Sequence, residues 1–127
     1  MDTKNIKPVV FVITPFTEEH LELYNTLKNE FKGLYEFVNA GDTGNVQNIL
    51  KDIIQPIYDA DIILADLTGL NSNVMYELGI AHTMNKKTIM ITQDDLDGLP
   101  FDLKQYRTQH YTCLLYTSPS PRDGATS

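Results

Sequence analysis

Apolar and polar residues alternate along the chain in blocks that predict strands and helices in turn. The run Asp61–Ala65 is short, apolar and rich in β-branched residues, which predicts a strand covered on both faces. Further strands are predicted at Val9–Ile13, Leu34–Asn39 and Thr88–Thr92, with an edge strand at Arg107–Tyr111. The segments between the first four strands have helical patterning.

The first predicted helix spans Glu18–Phe31, with Thr17 as its N-cap and Gly33 as its stop. The second has an apolar face at helical spacing, made of Val46, Ile49, Leu50, Ile53, Ile54 and Ile57. Alternation of strands and helices indicates a mostly parallel sheet with right-handed crossovers. We therefore expect an α/β fold, a flavodoxin-like or Rossmann-like three-layer domain with a mostly parallel sheet of four to five strands.

The segment after the strand Asp61–Ala65 carries the candidate chemistry. A polar loop leads into a helix that starts at about Asn73 or Val74, and Glu77 lies about one turn into that helix. There the helix dipole and nearby backbone donors should hold the carboxylate ionised, able to attack or stabilise an electron-poor carbon. A plain structural reading is that an acidic residue simply complements the dipole. With Asn73 as cap, however, Glu77 falls one residue late for a capping box.

Charge and length narrow the classes of partner. The chain has 127 residues and a formal net charge of -7, which is a poor electrostatic match for duplex nucleic acid or anionic lipid. Small nucleotides can still bind through backbone amides and helix ends. No apolar run reaches membrane-spanning length, and residues 1–8 lack the apolar core of a signal peptide, so we expect a cytoplasmic protein.

The C-terminal tail differs from the rest of the chain. The stretch Cys113–Asp123 resembles the translation of a transposase sequencing adapter read through in frame. We therefore predict a domain at 1–112 and a non-native tail at 113–127. Without the tail no cysteine is left, so a disulfide framework, a thiolate zinc site and a Cys nucleophile are excluded for the domain.

The segment from 61 to 79 resembles the nucleoside 2-deoxyribosyltransferase family and the related TIR-like NAD-cleaving domains. These share an Asp-x-Thr loop, here Asp66 to Thr68, followed by Asn-Val-x-Tyr-Glu-Leu-Gly, here residues 73–79. The resemblance implies that Glu77 is the nucleophile attacking the anomeric carbon of a sugar. It also implies that Asp61 handles the proton on the departing base.

The resemblance also implies a set of substrate contacts. These are Thr14, Pro15 and Phe16 after the first strand, together with Asp66, Thr68, Asn71, Asn73 and Tyr76. The family has a further acid shortly before the nucleophile, where this chain has amides. Amides bind hydroxyls without supplying charge, so NAD or a ribonucleotide fits as well as a deoxynucleoside. The family normally adds a closing C-terminal helix after the last strand. If the tail has replaced that helix, we expect one face of the sheet to keep an exposed apolar patch and the fragment to be less stable or self-associating.

These observations lead to one function and two alternatives. We predict cleavage of an N-glycosidic bond in a nucleoside or nucleotide, by base transfer or hydrolysis, with a glutamate nucleophile. The alternatives are a TIR-like NAD glycohydrolase and a non-catalytic nucleotide-sensing assembly module. We expect no cofactor and no metal, since Asp94, Asp95 and Asp97 lack the spacing of a calcium loop. The expected partners are a small nucleoside, nucleotide or NAD, and in the full-length form a second copy of the chain.

Overall fold

A computed structural model of the chain describes residues 6–39, 48–99 and 108–112. Its sheet contains five parallel strands in the order β2-β1-β3-β4-β5. The strands are β1 (Val9–Ile13), β2 (Glu36–Asn39), β3 (Ile62–Asp66), β4 (Thr88–Thr92) and β5 (Thr108–His110). The predicted α/β three-layer architecture is confirmed, with every strand pair parallel. The tail at 113–127 and the residue Arg107 of the predicted edge strand lie outside the described residues.

In the described ranges three α-helices flank the sheet, and two of them match their predicted positions closely. They are α1 (Glu18–Phe31), α2 (Gln55–Asp59) and α3 (Ser72–Thr83). The predicted cap of α1 is confirmed, because Thr17 Oγ1 accepts a hydrogen bond of 3.2 Å from the backbone N–H of His20. None of the helices in the described ranges is long and apolar enough to cross a membrane.

The region before α2 departs from the regular helix that its apolar spacing predicts. Residues Leu50–Ile54 form a π-helical turn, in which the N–H of Gln55 bonds the carbonyl of Leu50. Pro56 has no N–H to give to the preceding turn, which favours such a widened turn. Ile53 and Ile57 are buried as expected, whereas Leu50 is 68% exposed. Val46, also assigned to the apolar face, lies outside the described residues.

Each face of the sheet packs against different helices, because successive side chains of a strand point to opposite faces. On one face, Phe11 and Ile63 pack into a cluster with residues of α2 and α3, such as Ile57 and Leu78. On the other face, Val10 and Val12 pack with Tyr24 of α1. Because α1 follows β1 and α3 follows β3, the chain leaves these two neighbouring strands toward opposite faces.

Candidate functional site

A crevice is expected where the connections after β1 and β3 diverge. In open α/β sheets ligands bind beyond the carboxyl ends of the strands, at the point where adjacent strands send their helices to opposite faces. Here the two connections are residues 14–17 and 67–71. Most of the residues that the sequence proposed as substrate contacts lie in these two loops or in the first turns of α3. The fold thus brings together at one edge two groups that are far apart in sequence.

The loop after β1 presents an aromatic ring. Phe16 is 69% exposed, while Pro15 before it is buried and Thr14 is half-buried. The hydroxyl of Thr14 makes only a long contact of 3.5 Å with the carbonyl of Pro15. An anchored proline followed by an exposed phenylalanine provides a flat apolar surface at the edge where a planar base could stack.

The loop after β3 is built around Asp66. This residue is 2% exposed, and its Oδ1 accepts hydrogen bonds from the backbone N–H of Thr68 at 3.0 Å and from the Thr68 hydroxyl at 2.6 Å. Thr68 Oγ1 in turn accepts from the N–H of Gln93 at 2.9 Å. The Asp-x-Thr pair of the sequence is therefore an internal brace of the loop, which fixes the entry into α3.

The next residues turn the chain sharply toward α3. Gly69 has φ 75° and Leu70 has φ 48°, both in the left-handed region. Glycine adopts this conformation freely, but leucine does so at a cost, and such strain is concentrated at ligand-binding loops. The N–H of Gly69 donates to Asp94 Oδ2 at 2.6 Å, so a residue following β4 helps to hold the turn.

The helix α3 begins at Ser72, one to two residues earlier than predicted, because Asn71, and not Asn73, is its cap. Asn71 Oδ1 accepts from the N–H groups of Asn73 at 2.9 Å and Val74 at 3.1 Å. Capping uses the carbonyl end of the Asn71 amide, so the amide NH₂ is the group that can donate to a ligand hydroxyl. Asn73 is exposed in the first turn.

Glu77 lies in the second turn of α3, beside the stripe of Val74, Leu78 and Ala81 that packs on the sheet. It is half-buried, and burial raises the pKa of its carboxyl from 4.5 to about 7. This corrects the expectation that the helix dipole holds the group ionised, because the dipole acts within the first turn and desolvation dominates further along. Within the described residues, Glu77 has no basic partner. The neighbouring Tyr76 is 57% exposed.

Asp61 lies at the amino ends of the strands, at the opposite end of the sheet from the crevice. It precedes β3, and its Oδ2 accepts a hydrogen bond of 2.7 Å from the N–H of Val9, at the start of β1. At a rise of about 3.3 Å per residue, β3 separates Asp61 from Asp66 by roughly 16 Å. The structure therefore does not bring Asp61 together with the other candidate residues, and its contact ties two strands together.

The structure instead places a histidine at the carboxyl edge, which sequence reasoning missed. His20 is 7% exposed, and its Nε2 lies 3.3 Å from Asp66 Oδ2, at ion-pair distance but outside hydrogen-bonding alignment. The same Asp66 oxygen accepts from the Tyr111 hydroxyl at 2.5 Å. His20 lies three residues after the predicted cap Thr17, and this spacing indicates a contact between the two residues. Nothing in the sequence indicates that His20 contacts Asp66.

Comparison with known proteins shows the fold. No protein-family model matches the chain, and no curated protein sequence matches it. Among solved structures, a 2-deoxyribosyltransferase from Leishmania mexicana is 19% identical with a TM-score of 0.60, covering 84% of this chain and 76% of its own. A 2-deoxyribosyltransferase from Bacillus psychrosaccharolyticus is 14% identical with a TM-score of 0.61, covering 82% and 85%.

A third similar structure is a prokaryotic SEFIR domain, 19% identical with a TM-score of 0.54, over 80% of each chain. The predicted resemblance to deoxyribosyltransferases and TIR-like domains is confirmed at the level of the fold. At these identities the likeness carries the architecture and leaves the activity to be argued from the site.

Proposed function

We propose that this protein cleaves the N-glycosidic bond of a nucleoside or nucleotide, with Glu77 attacking the anomeric carbon. The observation that carries the proposal is a half-buried carboxyl on the helix that starts at the crevice, without a basic partner in the described residues. A carboxyl held in that way is available for chemistry rather than for an ion pair. Covalent capture of the sugar divides one difficult displacement into two easier steps.

The surrounding residues have chemistry suited to a nucleoside. The exposed ring of Phe16 offers a stacking surface for the base, and the amide NH₂ of Asn71 can donate to a sugar hydroxyl. Tyr76, exposed beside Glu77, is a further candidate for orienting the sugar. Asp66 and Thr68 contribute by bracing the loop. The second substrate is water or another base, which gives hydrolysis or transfer.

Replacing the nucleophile tests the proposal. Glu77→Gln keeps the size of the side chain and removes the attacking oxygen anion, so we expect release of free base to fall by roughly 10³-fold or more. Chromatography of nucleosides, nucleotides and NAD incubated with the protein measures this release. In the unsubstituted protein, kcat/KM should rise with pH through about 7, because only the ionised carboxyl attacks.

The matched control is Glu30→Gln, which makes the same charge change at an exposed position of α1. This control variant should retain full activity. If Glu77→Gln keeps its turnover while remaining folded, the glutamate nucleophile is wrong.

A second candidate function is a nucleotide-sensing assembly module without catalysis. Large apolar side chains are exposed around α2, namely Leu50 at 68%, Tyr58 at 66% and Ile49 at 45%. Exposed apolar residues near one another are typical of surfaces that bind another protein chain. A ligand-dependent increase in oligomer size, measured by light scattering with no base released, would favour this function over the enzyme.

A further inference from the structure

The buried contact between His20 and Asp66 has no role in the function proposed above, in which Asp66 only braces the loop, although it lies at the carboxyl ends of the same strands. We propose that His20 donates the proton that the departing base needs, with Thr17 and Asp66 as positioning residues. This inference rests on the proposed N-glycosidic cleavage and supplies the proton donor that Asp61 cannot provide from the opposite edge.

The imidazole of His20 is held in one orientation. Its Nδ1 lies 2.6 Å from Thr17 Oγ1, and the same oxygen accepts the backbone N–H of His20 at 3.2 Å. The ring is thus fixed to the first turn of α1 by two contacts with one side chain. Since Nδ1 is engaged by Thr17, Nε2 is the nitrogen that can exchange a proton with another group.

The carboxylate of Asp66 completes the pair. One oxygen is braced by Thr68, and the other lies 3.3 Å from His20 Nε2 and accepts from the Tyr111 hydroxyl. A carboxylate oxygen fixed beside the ring is an acceptor toward which Nε2 can present a proton. Among the described residues, the misaligned contact leaves Nε2 without a hydrogen bond, although the side chain is more than nine-tenths buried. A buried ring nitrogen in this state calls for a partner that this part of the chain does not provide.

The space beside the pair accepts such a partner. His20, Asp66 and Thr14 line a small, partly enclosed cavity of about 10 Å³, whose other walls are apolar. That volume holds one water molecule, or a single polar atom projecting from a larger ligand. Thr14 belongs to the loop after β1, so the cavity adjoins the expected crevice. A ring nitrogen of a base that enters from this loop is the kind of polar atom that the cavity beside His20 can take.

The substrate considered for this step is a purine nucleoside. Glu77 forms a bond to C1′ while the bond from C1′ to N9 breaks, and the electron pair of that bond passes to the purine. His20 Nε2 gives its proton to N7, so the base leaves neutral and the imidazole becomes neutral. Water or a second base then attacks C1′, loses its proton to His20, and releases the Glu77 carboxylate.

A methyl group on N7 tests this role directly. N7-methylated inosine already carries the positive charge that protonation would create, so its base departs without a proton donor. We expect His20→Gln to lower base release from inosine by about 10²-fold or more, within the range of general acid catalysis. Its effect on N7-methylated inosine should be less than about threefold. A histidine that only stabilises the fold would affect both substrates equally.

Three further variants separate the outcomes. His110→Gln changes an exposed histidine of β5 and should leave both rates unchanged. Thr17→Ala removes the contact to Nδ1 together with the N-cap of α1, and should reproduce the selective loss more weakly. If His20→Gln does not fold, the Thr17→Ala variant tests the role of His20 in its place. Glu77→Gln should abolish cleavage of both nucleosides, and its failure to do so contradicts the proposed function itself.

The role of His20 is overturned by equal losses on the two nucleosides, by no loss on inosine, or by a protein that cleaves only the methylated substrate. It is supported by a selective loss on inosine in His20→Gln or in Thr17→Ala, with Glu77→Gln inactive on both.

Discussion

The two faces of the sheet are built differently. Among the described residues, thirteen buried apolar residues form the cluster between the sheet and the helices α2 and α3. The buried cluster between the sheet and α1 contains three. On the α1 face, Ile89 of β4 is 45% exposed, while Ile63 of β3 on the opposite face is fully buried. We call these the packed face and the open face.

The polar pair of His20 and Asp66 lies on the open face, and Glu77 lies on the helix that covers the packed face. Apolar burial supplies most of the favourable free energy of folding, so the packed face carries most of the stability. A buried histidine and carboxylate are costly among closely packed apolar side chains, and fewer of these surround them on the open face. We infer that the packed face mainly stabilises the fold, and that the open face accommodates buried polar side chains at a lower energetic cost.

The largest expected effect comes from a matched pair of isoleucines. Ile63→Ala opens a cavity in the packed face and should lower the free energy of unfolding by about 2–5 kcal/mol. Ile89→Ala makes the same change in a neighbouring strand of the open face, where exposure limits the loss to about 1 kcal/mol or less. Urea denaturation of both variants measures the difference. Equal losses would show that the two faces contribute alike.

A smaller effect is expected from Glu77, and it depends on pH. Burial raises the pKa from 4.5 to about 7, so the folded protein holds the proton more tightly than the unfolded chain. The contribution of this group to stability is therefore present below pH 4.5 and is lost as pH rises to about 7. Glu77→Gln removes the penalty, and at pH 8 it should be more stable than the unsubstituted protein by about 1–2 kcal/mol, a value reduced for partial exposure.

Urea denaturation at pH 4 and pH 8 checks this prediction, with Glu30→Gln as the exposed control. The gain should vanish at pH 4, where both states of the unsubstituted protein are protonated at Glu77. A gain of the same size at both pH values would mean that the variant acts through packing rather than through charge.

The smallest effect concerns a hydrogen bond on the open face. The hydroxyl of Tyr24, on α1, donates to the carbonyl of Phe37 in β2 at 3.2 Å. Tyr24→Phe removes this donor and should cost about 0.5–1.5 kcal/mol. Tyr58→Phe, at a tyrosine that is 66% exposed, is the control and should cost almost nothing. Thermal melting measures the change in Tm of the two variants. Equal decreases in Tm would show that the hydrogen bond from Tyr24 does not specifically stabilise the open face.

Sequence reasoning was most successful where neighbouring residues decide the outcome. The strands β1 and β4, the helix α1 and its Thr17 cap were predicted with the observed boundaries, because periodicity and capping act over a few residues. The π-helical turn before α2 was not predicted, since apolar spacing does not reveal where a proline will change the hydrogen-bonding pattern of the helix.

The candidate site divides in the same way. The loop from Asp66 to Asn71 and the helix bearing Glu77 follow from one continuous stretch of sequence. The position of Asp61 depended on which end of β3 faces the crevice. The contacts of Asp66 with His20 and Tyr111 join the end of β3 to the first turn of α1 and to the residue after β5. The spacing of residues along the chain does not show which side chains from distant segments come into contact.

The amino-acid sequence by itself therefore determined the alternation of strands and helices, the polar loop that leads into α3 and the presence of one carboxylate on that helix. Only the tertiary structure decided that a histidine from the first turn of α1 faces that loop, that Asp61 lies away from it, and that Glu77 has a pKa of about 7. The physical reason is that local patterns set backbone conformation, while strand order sets which side chains meet and burial sets how each one holds its proton.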